Sequence, residues 1–424
     1  MNGGLSMVEM KSGYKMTEVG VIPEDWEVKE LSSISAIKSG KRLPKGSLVT
    51  SSKTPYPYIR VIDMNMGYLN LSNIMYVPEN VQPMISKYII SKNDIYISVA
   101  GTLGLVGKIP EELDGANLTE NANRITEIQC NRDYLMYYMM SPLIQNVIEA
   151  ERTIGAQPKL ALQRIRDFYI VLPRDKREQT AIATALSDVD SLISTLTKKI
   201  EKKKAIKQGL MQQLLTGKKR LPGFCGDWMT YSIEELFELG NGYTPSKAIT
   251  SFWFNGTIPW FRMEDIRLHG RILKDSIQHI TLKAVKGGRL FPKDSIILST
   301  TATIGEHAWL NVDSLANQQF TFLMRKRSCC DTISVKYFFY YCYILGDWCR
   351  ANINEGGLMA VNMEDLRKYN FAIPPTISEQ TAIANILSDC DSEIAALKEK
   401  RDKYKEIKQG MMQQLLTGKI RLIK

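Results

Sequence analysis

The sequence predicts an α+β protein: two tandem globular domains with mainly antiparallel sheets, each followed by a long helix, the two helices pairing as an antiparallel coiled coil. Three observations carry that prediction. Residues 178–219, EQTAIATALSDVDSLISTLTKKIEKKKAIKQGLMQQLLTGKK, align without a gap on residues 379–420, EQTAIANILSDCDSEIAALKEKRDKYKEIKQGMMQQLLTGKI, and about two-thirds of the positions are identical. Within each copy apolar residues step alternately by four and three, which is a coiled-coil seam. Upstream of each copy lie diverged segments of β-branched and aromatic residues separated by turn signals. The segments implied are a domain over 1–177, a helix over 178–220, a second domain over 221–378 and a second helix over 379–424.

The first domain opens at Trp26 with an amphipathic helix expected over Val28–Ile37 and a polar loop, KSGKRLPKG (38–46). Strand-like runs follow, YPYIRVI (56–62) and DIYISVA (94–100), then a tyrosine-rich stretch, 134–148, that reads as helical. The second domain repeats the order from Trp228: a helix over Ile233–Leu239, the loop GNGYTPSK (240–247), strands IPWFRM (258–263) and DSIILST (294–300), and a helical 335–350. The duplication persists upstream of the helices, where Gly155, Ile165, Ile170 and Pro173 match Gly356, Leu366, Phe371 and Pro374.

Basic and amide side chains cluster on these loops. They are Lys41, Arg42, Lys45, Arg60, Arg124, Gln157 and Lys159 in the first domain, and Lys247, Arg262, Arg267, Gln318, Gln319 and Asn362 in the second. Arginine and lysine pair with guanine edges, and glutamine and asparagine with adenine, so as a matched group they point to reading of DNA. The alternative for any single one is a surface or structural role. Tyr58 and Trp260 are expected in the core.

In the helices the seam runs through Ile182, Leu186, Val189, Ile193, Leu196 and Ile200, then Ile383, Leu387, Cys390, Ile394 and Leu397. A helix of this length reaches roughly 60 Å, too long to bury its seam against one small domain. Each copy carries mid-helix lysines, a solvated face or a phosphate-attracting one. A second apolar set, Leu210, Met211, Leu214 and Leu215 with Met411, Met412, Leu415 and Leu416, exceeds the needs of one seam. It is either a docking surface for another subunit or a contact with the chain's own domains. Helices held alike beside domains that drifted imply that the helices must match each other, or one shared partner, while the domains need different surfaces.

Composition is compatible with this layout. Of the 424 residues, 44% are hydrophobic and 24% charged, enough for each domain to bury a core. The net charge of +10 tilts the chain toward polyanions. Residues 1–16 lack an apolar signal-peptide region and no run is long enough to span a membrane, so a cytoplasmic location is expected. The seven cysteines form no CxxC pair, which favours reduced, buried thiols over zinc. No metal and no cofactor is expected for the chain itself.

Catalysis is excluded motif by motif. IPPT (373–376) lacks the asparagine and the aromatic of an adenine methyltransferase tetrapeptide, and no GxxxxGK[ST] string occurs. The glycine spacing of GTLGLVG (101–107) is absent from its counterpart, which marks a tight turn. Asp94 and Asp294 open strands without a following Glu-x-Lys, and read as turn residues. His269, His279 and His307 all fall in the second copy, so the two domains share no histidine chemistry.

The motifs IVLPRDKREQTAIA (170–183) and IPPTISEQTAIA (373–384), each leading to QQLLTGK, resemble the DNA-specificity subunits of type I restriction–modification enzymes over essentially the whole chain. The resemblance implies two target-recognition domains, each reading half of a split site, and paired helices that set the gap. It also implies partners: two methyltransferase subunits that bind S-adenosylmethionine, restriction subunits that use ATP, and double-stranded DNA. It further implies a cyclic arrangement, with LLTGKIRLIK at the C-terminus returning to the start of the first domain. A stand-alone DNA-binding or scaffold protein without an enzyme partner is the alternative.

Overall fold

The computed structural model describes residues 12–151, 159–288, 290–354 and 359–423. Its contacts divide the chain into two compact units, Met1–Thr197 with Glu399–Lys424, and Lys198–Lys398. The divisions fall inside the long helices, Lys176–Leu214 and Ile377–Leu415, rather than at their ends as the sequence segments had it. Each unit therefore owns the beginning of one long helix and the end of the other. Gly209 and Gly410 lie near the last turns of these helices.

In the first unit one sheet runs Ala36–Ser39, Ala122–Thr126, Ile95–Ser98, Val106–Lys108, with every neighbour antiparallel. A second runs Met75–Tyr76, Pro57–Ile59, Ala116–Leu118, Ile89–Ile90, with one parallel pair. Trp26–Glu30 pairs antiparallel with Tyr169–Pro173, the strand that leads straight into the long helix. The expected helix over Val28–Ile37 is a correction: β-branched Val28 and Ile37 sit in strands, and only Leu31–Ile34 makes a helical turn between them. The tyrosine-rich stretch is helical but broken by Ser141-Pro142 into Arg132–Met140 and Pro142–Ala150. Proline lacks the N–H an interior position needs, so it opens a new helix.

The second unit repeats the scheme. Five strands run Phe237–Asn241, Phe320–Arg325, Ile296–Ser299, His307–Leu310, Ile272–Leu273, antiparallel except for the last pair. Three more run His279–Ile280, Ile258–Phe261, Leu315–Ala316, and Met229–Ser232 pairs with Asn370–Ile373. The helix expected over Ile233–Leu239 is again one turn, Ile233–Leu236, running into a strand. The tyrosine-rich helix is unbroken here, Val335–Ala351. Tyr58 and Trp260 are buried as expected.

Each core sits between the larger sheet, the tyrosine-rich helix and two long-helix segments. In the first unit Tyr134, Tyr138 and Trp26 pack with Ile182 and Leu186 from one helix start and Leu415 and Leu416 from the other helix end. In the second, Tyr337 and Phe338 pack with Ile383, Leu387, Leu214 and Leu215. Leu214, Met412 and Leu415 are at most 8% exposed, with Leu210, Met211 and Met411 packed against the same cores. The chain's own domains cover Leu214, Met412 and Leu415, against the expectation that they dock a partner, while Leu210, Met211 and Met411 are half-buried. The thiols also depart from expectation, since only Cys342 and Cys349 are buried while Cys225 and Cys330 are exposed.

Candidate nucleic-acid interface

The basic loops are fixed by a close approach that only glycine permits. Gly40 N–H donates to Ala122 O at 3.0 Å and Lys41 N–H to Leu118 O at 2.8 Å. A Cβ on Gly40 would lie 2.0 Å from Thr119 O. The second unit builds the same junction: Gly242 N–H donates to Phe320 O at 2.9 Å and Tyr243 N–H to Ala316 O at 2.8 Å. There a Cβ would lie 2.3 Å from Asn317 O. A third loop joins each rim, through Val99 N–H to Asn121 O and Leu160 N–H to Val99 O in one unit, and Thr300 N–H to Gln319 O and Val361 N–H to Thr300 O in the other.

This convergence gathers Lys41, Arg42, Lys45 and Lys159 on one rim, all exposed, and Lys247, Gln318, Gln319 and Asn362 on the other. Arg42 donates to Glu120 at 2.6 Å, and Lys41 lies over the Tyr88 ring at 5.7 Å. Burial raises the Glu120 carboxyl, but hydrogen bonds from Arg42 and Thr119 outweigh it and hold the group below the usual range. Across the second rim, Gln318 accepts from Thr244 and Gln319 donates to Thr303, each at 2.6 Å. Gln157 lies outside the described residues. Arg267 is exposed in the helix Met263–His269.

Two nominated side chains, Arg60 and Asn362, are engaged by hydrogen bonds within the fold, and Arg262 by a stack on Trp260. Arg60 forks onto buried Asp63 at 2.8 and 3.0 Å and also donates to Asn73 O. Arg262 precedes the helix Met263–His269; its backbone N–H bonds buried Asp265, and its guanidinium lies 5.7 Å over Trp260 with Nε buried and without a hydrogen-bond partner among the described residues. Asn362 caps the helix Met363–Lys368 by accepting from Glu364 N–H at 2.9 Å. Arg124 sits within the strand Ala122–Thr126, its Nε buried and without a hydrogen-bond partner among the described residues.

A set of residues that sequence reasoning left unassigned ties the long helices to each unit. Glu178, 0% exposed, accepts from Trp26 Nε1 and from Arg421, which also forks onto Asp25 at 2.7 and 2.9 Å. Tyr14 donates to Gly418 O at 3.0 Å, so the chain end returns to the first domain's start as the cyclic arrangement implies. In the second unit Arg220 forks onto buried Glu379 at 2.6 and 2.7 Å. Gln179 and Gln380 bind Pro173 O and Pro374 O, and accept from Asn131 N–H and Ser334 N–H ahead of the tyrosine-rich helices. Further along, Asp190 accepts from Tyr137 and Lys408, and Asp391 from Tyr340 and Lys207. Partner numbers rise on one helix as they fall on the other, so within each unit the segments run antiparallel.

Along the nominated seam Ile182, Leu186, Leu196, Ile200, Ile383, Leu387 and Ile394 are buried, and Val189, Ile193, Cys390 and Leu397 partly so. Asp94 and Asp294 are not equivalents. Asp94 closes a turn onto Ser91 N–H, and the residue in that place in the second unit is Ser295, bonded to Pro292 O. Among the described residues no group of three or more His, Cys, Asp or Glu could hold a metal, and no helix is long and apolar enough to cross a membrane.

Comparison with known proteins agrees with this geometry. The family model described as type I restriction modification DNA specificity domain matches residues 23–208 and again 226–409. The EcoprrI type I restriction enzyme specificity subunit of Escherichia coli is 46% identical over 174 residues, spanning 41% of this chain and 43% of that protein. The putative MjaX specificity subunit of Methanocaldococcus jannaschii is 27% identical over 438 residues and 97% of both chains. Among solved structures, the type I restriction–modification S subunit of M. genitalium superposes with a TM-score of 0.56 at 16% identity, covering 92% of this chain and 96% of that one. A chain from a type I R-M system, solved to explain complex assembly and conformational transition, gives 0.58 at 16% identity over 94% of this chain and 99% of its own. At such identity these likenesses concern the fold.

Proposed function

The chain belongs to the family of type I restriction modification DNA specificity domains, and on that premise we propose that it is the non-catalytic subunit that reads a bipartite DNA site, one half per unit. It docks methyltransferase and restriction subunits, which supply the cofactors and the chemistry, and it acts in the cytoplasm. The observation that carries this reading is the contrast within one chain. The same glycine junction presents Lys41, Arg42 and Lys45 on one rim and Tyr243, Thr244 and Lys247 on the other. A matched frame with different polar side chains suits two different half-sites.

Lys41, Arg42, Lys45, Lys159, Lys247, Arg267, Gln318 and Gln319 are the side chains assigned to DNA. The long helices fix the gap, so half-sites must stand at a set spacing of about one helical turn of DNA. The test is binding by the chain with its methyltransferase partner to duplexes carrying none, one or two base pairs inserted between the half-sites. One inserted pair is expected to abolish specific binding; equal affinity for all three duplexes overturns the reading.

A further inference from the structure

Arg60 and Arg262 hold the same place in the two units, yet only one of them is committed to the fold. Each follows a strand whose last carbonyl meets the rim: Thr119 N–H donates to Ile59 O at 3.1 Å, and Asn317 N–H to Phe261 O at 3.0 Å. Each precedes a helical turn whose third residue is a buried aspartate, Asp63 or Asp265. In the first unit the guanidinium fills that carboxylate. Arg60 Nε donates at 3.0 Å and Nη2 at 2.8 Å, and Nη2 reaches Asn73 O as well. In the second unit the carboxylate is already taken. Ile277 N–H donates to one oxygen at 2.6 Å and Arg262 N–H to the other at 2.7 Å.

The Arg262 guanidinium is left over. It lies 5.7 Å over the Trp260 ring, and the Glu264 carboxylate stands 3.9 Å from Nε, beyond hydrogen-bond reach. Nε is buried and unbonded among the described residues, although the side chain as a whole is 23% exposed. A donor shut off from water without an acceptor destabilises a fold. An arginine kept in that state, stacked in a fixed plane, is held for a ligand rather than for stability. Its surroundings belong to the second rim. Trp260 Nε1 donates to Tyr243 O and Trp253 Nε1 to Ser246 O, each at 3.0 Å, so the two indoles pin the loop that ends at Lys247. Phe261 O, one residue before Arg262, holds the turn that carries Gln318 and Gln319.

We propose that Arg262, and not its counterpart Arg60, reads a guanine in the half-site taken by the second unit. Terminal N–H groups in one plane match O6 and N7 of guanine in the major groove. Trp260 fixes the plane in which they are offered. The first unit does not read that position with arginine, because releasing Arg60 would strand buried Asp63. The two half-sites therefore differ through one backbone N–H, that of Ile277, which occupies the carboxylate that would otherwise hold the arginine. This assignment rests on the function proposed above.

The test is selection of duplexes from a random pool by the full chain with its methyltransferase partner. The unchanged chain should select two half-sites, with guanine fixed at one position that Arg262→Ala frees while the other positions stay. Affinity for the selected duplex should fall about tenfold to a hundredfold. Arg262→Lys keeps the charge without the fork and should not restore the guanine. Arg262→Ala breaks no hydrogen bond and should melt with the unchanged chain. Arg60→Ala should melt lower and leave every selected position in place. A selected motif that Arg262→Ala leaves unaltered overturns the assignment. So does uniform weakening across all duplexes that Arg262→Lys restores, the mark of a phosphate contact. An Arg60→Ala variant that frees a base of the first half-site at an unchanged melting temperature overturns the contrast between the units. A pool from which the unchanged chain selects no two-part site overturns the proposed function as well.

Discussion

Replacing Arg421 with methionine should unfasten the chain end from the first unit. Arg421 Nε and Nη2 donate to Glu178 at 2.5 and 2.8 Å, and Nη1 and Nη2 donate to Asp25 at 2.9 and 2.7 Å. Glu178 has a side chain 1% exposed, so the variant leaves a buried carboxylate with only Trp26 Nε1 to bond it, at 3.1 Å. Breaking a buried pair by removing one partner costs about 3–5 kcal/mol. Because Arg421 is itself 31% exposed, the low end applies, about 3 kcal/mol. For a unit of this size that corresponds to roughly 6–12 °C in its melting transition, read by scanning calorimetry. Arg421→Met with Glu178→Met removes the stranded charge and should recover more than half of the loss, a coupling that the double-mutant cycle reports directly. The Arg421 hydrogen bond also holds the Asp25 carboxyl below its usual range. Its share of stability is therefore present above the unfolded value of 3.8 and lost as pH falls through the lower folded value. A single variant that melts within about 1 kcal/mol of the unchanged chain, or a double variant with no recovery, refutes the latch.

The second unit should be acid-sensitive through His307. Burial, with the cations Arg271, Arg350 and Lys207 nearby, depresses it from 6.5 to about 3. The unfolded chain binds that proton first, so stability is complete above pH 6.5 and falls as pH drops toward 3, by about 2 kcal/mol at pH 5. His307→Leu should flatten the pH dependence of that unit's urea midpoint between pH 5 and 7; an unchanged slope contradicts the assignment. Ala302 holds φ of 58°, in the place where the first unit has Gly101 at 76°. Ala302→Gly should stabilise by about 0.5–1 kcal/mol, and Gly101→Ala should destabilise by about as much. Chemical denaturation showing the opposite signs would remove strain as the cause. Gly40→Ala and Gly242→Ala should each displace one rim, because their Cβ atoms meet carbonyl oxygens at 2.0 and 2.3 Å. Each should weaken specific DNA binding at least about tenfold through its own half-site only, which binding to duplexes altered in one half or the other will check.

Much of the architecture was legible because periodicity is a long-range signal. The helices start two residues ahead of the expected 178 and 379, since a seam repeated over many turns averages out local exceptions, but end at 214 and 415, six and nine residues short of the expected 220 and 424. The strands at 95–98, 258–261 and 296–299 were readable because each is fully or nearly buried, and buried strands are written in branched and aromatic residues. The helices expected at Val28–Ile37 and Ile233–Leu239 failed for a physical reason. A single turn between two strands presents apolar residues at helical spacing without being a helix of that length. Among the candidate DNA contacts, exposed Lys41 and Lys45 could be found from loop composition alone. Arg60, Arg262 and Asn362 could not be told apart from them, because a helix cap, a fork onto Asp63 or a stack over Trp260 depends on a partner that composition does not position.

The identical residues of the two helices carry two separate constraints, and burial sorts them. Glu178, Gln179, Asp190, Lys408 and Arg421, with their counterparts Glu379, Gln380, Asp391, Lys207 and Arg220, are saturated by partners inside a unit. They fix the angle and depth at which a helix meets its domain, and a domain may drift in sequence while keeping a tyrosine at 137 or 340 to meet that aspartate. Ile206, Gly209 and Gln213, with Ile407, Gly410 and Gln414, have no such internal explanation. Other exposed positions are mixed: Lys198 against Glu399 and Ala205 against Glu406 have drifted, while Gln208 and Gln212 match Gln409 and Gln413. Buried, saturated contacts therefore account for the first set of identities, while the exposed ones are spread around both helices and do not come from those contacts.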